Sequence, residues 1–274
     1  MSASNKRPIF RVNRTHLPRI IVVLIASIVF GAWLLATPDG LLGKTDAVGY
    51  ALCHRIDLRS FHLGTRQLPL CVRCSGMYLG VLIGLGFYIT RRTKAGCYPS
   101  RGVSTVLFLF GIIWAIDGIN SYVHLIPTAT GLYTPSNTLR LITGTLIGIS
   151  LSTMVYPAFS QFAWKDVEDE PVLHSFTELG KILLVAAVLV VLVLSENPLI
   201  LYPFALATTL SVFVILTLVY TSVILVIMRK ENQAECWRDL ITPVLLGLTM
   251  AVIQIGVIDW IRFTLTGTWG GFQI

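Results

Sequence analysis

Long apolar runs separated by short polar stretches dominate this chain. About 20 apolar residues, rising ~1.5 Å each, suffice to cross a hydrocarbon layer of about 30 Å. The first such run extends from Ile20 to Ala36. Ser75 to Thr90 is too short to cross alone, so the second helix is expected to start earlier, with Pro69 in its first turn. A third run covers Val103 to about Val123, a fourth starts near Leu139, and a fifth covers Ile182 to Leu194. The sixth, Ile200 to Met228, would measure about 43 Å as one helix, so it must tilt or begin in the interface. A seventh covers about Thr242 to Thr264. The pattern predicts an all-α, polytopic transmembrane helix bundle of about seven spans.

Small residues punctuate two of these runs. Gly76, Gly80 and Gly84 recur every four residues, and Gly144 and Gly148 repeat that spacing. Such faces let helix backbones approach closely. Before the fourth span, Ser136 and Asn137 read as capping residues rather than chemical ones, with Asn137 or Thr138 as the N-cap itself. The connection from Thr37 to Leu70 is either an exposed loop or partly re-entrant, and a re-entrant segment is tolerated only where protein covers it.

Composition sharpens the class. Hydrophobic residues make up 54% of the 274 and charged residues 13%, against about 25% charged in a soluble domain. The spans leave no room for a separate soluble module, and with no basic face on one a nucleic-acid partner is excluded. The formal charge of +7 lies mostly in loops, where it sets orientation. Residues 1–19 are basic (Lys6, Arg7, Arg11, Arg14, Arg19), and the first apolar run lacks a clear cleavage site, so it reads as an uncleaved span. The expected topology is N-in and C-out across the plasma membrane, with a cytoplasmic N-terminus. One segment opposes that bias: the Thr37–Leu70 connection, placed outside, carries Lys44, Arg55, Arg59 and Arg66. Either the orientation is reversed or these side chains meet something anionic.

Candidate chemistry concentrates in residues 50–80. Cys53 and His54 are followed, sixteen residues on, by Cys71-x2-Cys74, with His62 between. Residues at i and i+3 share a helix face, and a helix N-terminus favours thiolate. Three sulfurs with His54 or His62 as fourth ligand would form a Cys3His set suited to zinc, with iron left open. Adjacent side chains diverge, which favours His62 over His54 as the partner of Cys53. Two other readings compete: an extracytoplasmic disulfide or redox pair, and three thiols that merely pack. Cys97 and Cys236 fall on the opposite side of the membrane.

The blocks CHRIDLRSFHLG, PLCVRCSGMYLG and SNTLRLITGTLIG resemble, in order, the bacterial and archaeal membrane proteins grouped as domain of unknown function 2085. The resemblance covers about Tyr50 to Gly148, making residues 20–148 a family-like core and 149–274 further transmembrane helices. It implies signature positions at Cys53, His54, Arg59, Ser60, Phe61, Cys71, Arg73, Cys74, Gly76, Tyr78 and Gly80. Further positions fall on Ser136, Asn137, Leu139, Arg140, Thr143 and Gly144. Relatives often carry an acid before the Ser/Thr-Asn step, whereas this chain has Thr134-Pro135. The resemblance names a site and no reaction.

Other costly residues gather at the same expected depth. Asp117 and Arg140 are expected to pair, as are Asp259 and Arg262 at i, i+3. Three function classes follow. The first is a scaffold or binding protein with a structural metal in the outer segment. The second is a membrane enzyme acting on a lipid or small anionic substrate, with Asp117 or Asp259 as base and Arg59, Arg66 or Arg140 holding charge. The third is a transporter, for which broken helices and repeats would be expected. The scaffold leads narrowly.

Overall fold

A computed structural model describes residues 17–91, 94–126 and 128–271. Among them are eight α-helices: α1 (Leu17–Ala36), α2 (Gly40–Leu52), α3 (Val72–Arg91), α4 (Arg101–Val123), α5 (Asn137–Ala163), α6 (Phe176–Leu194), α7 (Pro198–Ile227) and α8 (Trp237–Thr266). All except α2 are long and apolar enough to cross a membrane. The expected all-α bundle of seven spanning helices is therefore present. The basic residues Lys6, Arg7, Arg11 and Arg14 lie outside the described residues.

The bundle is built on α3 and α5. Its closest helix contact runs along their glycine faces, where backbones touch. A Cβ added at Gly80 would lie 2.1 Å from the Thr145 carbonyl oxygen, and one at Gly148 would lie 1.9 Å from that of Met77. The two small-residue repeats thus face each other. Helix α5 is the most enclosed span, with 61% of its apolar window buried, whereas α1 has 11%. Around this pair, α4 leans on α5, α7 touches both, α8 packs on α7, and α1 lies on α8. The outer surface is apolar, with Ile28, Phe108, Leu184 and Ile227 at least two-thirds exposed. That surface suits lipid contact.

The connection between α1 and α3 is folded and covered. Helix α2, which the hydropathy pattern did not show, buries Ala47, Val48, Gly49 and Tyr50 against α7 and α8. Gly49 sits on the Pro69 carbonyl, where any side chain would collide. After a 3-10 turn at Asp57–Arg59, β1 (His62–Leu63) and β2 (Arg66–Gln67) form a small antiparallel hairpin. At the other end of the bundle β3 (Ala95–Cys97) pairs in parallel with β4 (Glu168–Pro171), ordering two stretches that read as plain loops.

Two boundary expectations are corrected. Pro69 precedes α3 rather than occupying its first turn, because its carbonyl is committed to the contact with Gly49. Of the two expected capping residues it is Ser136 that is the N-cap of α5, accepting from the Leu139 N–H at 3.2 Å, while Asn137 turns its side chain to Arg140.

The glycine contact makes a direct prediction. Gly80→Ala should destabilise the protein by about 1–3 kcal/mol, the usual penalty for overpacking. Gly86→Ala, about 1.7 turns along the same helix with open space at its Cβ, should be near neutral. Thermal midpoints in one detergent compare them, and equal melting would show that the α3–α5 contact does not limit stability.

Candidate metal centre

The site assembles where α2 ends and α3 begins. Cys53 terminates α2 with extended backbone, its N–H donating to the Gly49 carbonyl at 2.8 Å. Arg55 then takes a left-handed conformation (φ 52°), uncommon for a side-chain-bearing residue, and turns the chain back. Cys71 immediately precedes α3, with its carbonyl accepting from Ser75 N–H at 2.9 Å. Cys74 lies in the first turn of the helix. The sulfurs of Cys53, Cys71 and Cys74 all lie within 4.8 Å of one another.

Local hydrogen bonds prepare the first of these sulfurs for negative charge. Cys53 Sγ accepts backbone N–H groups from Cys71 at 3.3 Å and Arg55 at 3.5 Å. Thiol hydrogens of Cys71 and Cys74, with these amides, pull the Cys53 thiol far down against the opposing effect of burial. Cys71 moves the other way, its proton held by Cys53 and its thiolate disfavoured by burial. A Cys53 sulfur that favours the thiolate, beside two further sulfurs, suits a thiophilic cation, because ligating cysteine is thiolate. Arg262 of α8 fixes the whole turn, donating to the carbonyls of Tyr50 and of Cys53 (2.8 Å to the latter) and stacking on the Tyr50 ring.

Cys71 and Cys74 open onto a cavity of about 250 Å³. His54 and Arg59 line it from the α2–α3 connection, Arg73 from α3, Arg140 from α5, and Trp114 and Tyr122 from α4. Asp117, 1% exposed, stands behind this wall. It accepts from Arg73 Nε at 3.1 Å, from the Tyr133 hydroxyl at 2.9 Å and from the Thr143 hydroxyl at 3.3 Å. Arg73 also donates to the Asp117 main-chain carbonyl and to Ser121 Oγ. The expected Asp117–Arg140 pair is replaced by Asp117–Arg73. The glycine contact presses Arg73's backbone onto α5 at Gly144 and leaves its side chain to reach α4. Arg140 instead donates to Asn137 Oδ1 at 2.8 Å.

The remaining candidates separate. His62 bonds to Asp57 at 2.9 Å on the exposed hairpin and His54 lines the cavity wall, and neither belongs to the thiol group. Arg66 pairs with Asp46 at 2.5 Å, away from the cavity, and Arg55 shares that carboxylate at 2.9 Å. Lys44 donates to the Leu34 and Thr37 carbonyls at the end of α1. The positive charge of the connection is thus mostly consumed internally, and Arg59 alone of the four reaches the cavity. Asp259 accepts from Trp33 Nε1 at 3.4 Å and borders a separate apolar pocket between α1 and α8. Its expected partner Arg262 is turned to the Cys53 segment. Cys97 lies on β3 beside Asp169 and Cys236 just before α8, both at the opposite end of the bundle from the thiols. Sequence reasoning named Arg73 only as a signature position of the resemblance and Arg262 only as a partner for Asp259, and gave neither its role at the site. For Arg73 a signal existed in its place inside Cys-x2-Cys; for Arg262 none did, because its role needs α8 folded back onto α2.

The fold and this end of the bundle define a helical, multi-span membrane protein with a clustered thiol site. Residues 53–154 match the family described as Predicted membrane protein (DUF2085), which bears out the resemblance seen in the cysteine and Ser-Asn-x-Leu-Arg blocks. The matched stretch begins at Cys53 and contains all three clustered cysteines, Arg73, Asp117, Arg140 and both glycine faces. An uncharacterised protein of Methanocaldococcus jannaschii is 27% identical over 158 residues, covering 53% of this chain and 95% of that protein. No solved structure matches this chain.

The buried ion pair yields a prediction. Asp117→Asn leaves the Arg73 charge uncompensated and should cost about 3–5 kcal/mol. The double variant Arg73→Met/Asp117→Leu should recover most of that loss. Thermal denaturation of the three proteins decides, and a double variant no better than the single one would assign Asp117 a role other than neutralising Arg73.

Proposed function

We propose that this membrane protein holds one thiophilic metal ion, zinc before iron, on Cys53, Cys71 and Cys74. The carrying observation is the convergence of three sulfurs from two chain segments within 4.8 Å. A disulfide between any two would strand the third thiol in the same enclosed place. One tetrahedral ion uses all three, at Zn–S distances of about 2.3 Å. His54 lines the same cavity as Cys71 and Cys74 but stands outside the thiol group, and would turn toward the sulfurs to close the coordination sphere.

The ion's role is that of a clamp. It joins the end of α2 to the start of α3, and through Cys53 and Arg262 it ties α8 to the same point. This supports a scaffold or binding protein, with the thiol end facing outward from the cell. The enzyme reading finds less support. Asp117 is committed to Arg73, and Asp259 borders a different pocket, so each proposed base stands apart from the thiols.

Elemental analysis of detergent-purified protein should give close to one zinc or iron per chain, with Cys53, Cys71 and Cys74 unreactive to thiol reagents until a chelator is added. Cys71→Ser and Cys74→Ser should each lose the metal and melt earlier, because site formation and folding are coupled. Since Cys71 must shed a raised-pKa proton to bind, zinc affinity should fall with falling pH, by about tenfold per unit for each proton released. Metal-free protein with two thiols recovered only after reduction would replace the ion by a disulfide.

A further inference from the structure

The cavity beside the thiols carries more positive charge than its own residues answer. Arg59, Arg73 and Arg140 all reach it, and only Arg73 meets a carboxylate, Asp117. Among the described residues neither Arg59 nor Arg140 has a carboxylate within ion-pair distance. Arg59 is held by the Ser121 carbonyl at 2.7 Å and lies over the Tyr122 ring. Arg140 is only 7% exposed, bonds to Asn137 through one Nη, and leaves its Nε buried without an acceptor. The indole N–H of Trp114, on the same wall, is likewise buried and unanswered. Burying a cation without a partner is expensive, above all within a membrane protein.

Two further features have the same sign. Arg73 and Arg140 sit in the first turns of α3 and α5, and both helices begin at this cavity. Their positive dipole ends add to the guanidinium charge. Burial, and then the charge of Arg73, push the Arg59 guanidinium below its usual value, against the smaller opposing effects of Tyr122 and Cys71.

We propose that this cavity binds an oxyanion of the phosphate class, received by the guanidinium groups of Arg59 and Arg140, which line it. Guanidinium groups suit this ligand because their N–H donors match paired oxygens. A volume of about 250 Å³ accepts a phosphate group and excludes acyl chains. The source is either free phosphate or the phosphate of a lipid headgroup entering from the bilayer surface. The site does not depend on a metal at the thiols, although Cys71 and Cys74 border the same space.

The test uses full-length protein in detergent both as purified and after chelation, removal of chelator by gel filtration and restoration of zinc, so that failure of the metal site and failure of the anion site are read separately. Binding of inorganic phosphate and of a short-chain phosphatidate is measured by calorimetry on wild type, Arg59→Gln, Arg140→Gln and Arg66→Gln. At least one probe should bind wild type, weakened about tenfold or more in Arg59→Gln and Arg140→Gln, as for loss of a charged hydrogen bond. Arg66→Gln, which lies outside the cavity, should bind like wild type. Should Arg140→Gln fail to fold, Arg59→Gln carries the comparison. Binding of inorganic phosphate supports a free oxyanion; binding of phosphatidate alone supports a headgroup site. The proposal is overturned if neither probe binds wild type, if all variants bind alike, or if binding appears only after zinc is restored and ignores the arginine changes.

Discussion

Backbone contact between α3 and α5 is the constraint from which this architecture follows. Two helices that meet through Gly76, Gly80, Gly144 and Gly148 approach more closely than side chains normally permit. That closeness has a consequence at their N-terminal ends. It brings the first turns of both helices side by side, and with them Cys74, Arg73 and Arg140. Helix α4, leaning on α5, then supplies Asp117, Trp114 and Tyr122 to the same place. The functional candidates therefore lie at the end of the tightest contact in the bundle, where rigid helices rather than loops set their positions.

Charge at this end is distributed with little left over. Asp46 takes Arg55 and Arg66, Asp117 takes Arg73, and Lys44 answers the last carbonyls of α1. These bonds account for most of the basic residues that oppose the orientation bias of the chain: they stitch the α1–α3 connection to its neighbours. Among the described residues Arg59 and Arg140 have no carboxylate within ion-pair distance, and both line one small cavity. The exception is informative because the rest is so fully matched.

The thiols and the arginines share that cavity but rest on different supports. Cys53 depends on α2 and on Arg262 from the last helix, so the turn carrying it is held from both ends of the chain. Cys71 and Cys74 are placed by the start of α3 and pack among residues of α1, α2, α7 and α8. A cation on the three sulfurs would thus lock a folded-back connection onto the central helix pair. The residues that match the predicted membrane protein family, 53–154, hold the whole thiol site and its charged wall. Helices α6 to α8 lie outside that match, yet α8 contributes the arginine that secures Cys53.

Membrane residence, the number and order of spans and the glycine faces were legible in the sequence, because each is a property of local composition and period. So was the grouping of Cys53, Cys71 and Cys74, whose spacing suffices once a helix is assumed at the second pair. Helix α2 was not legible: it is short and only moderately apolar, and packing against α7 and α8 gives it its shape. Partner choice was not legible either. Asp117 chose Arg73 over Arg140, and Arg262 chose two main-chain carbonyls over Asp259, because ion pairing depends on distances between segments far apart in the chain. His62 was favoured over His54 on the divergence of adjacent side chains, but the left-handed turn at Arg55 and the β1–β2 hairpin send His62 to Asp57 and leave His54 at the cavity. Periodicity specifies which faces are apolar, and only the packed structure decides which polar groups meet between them.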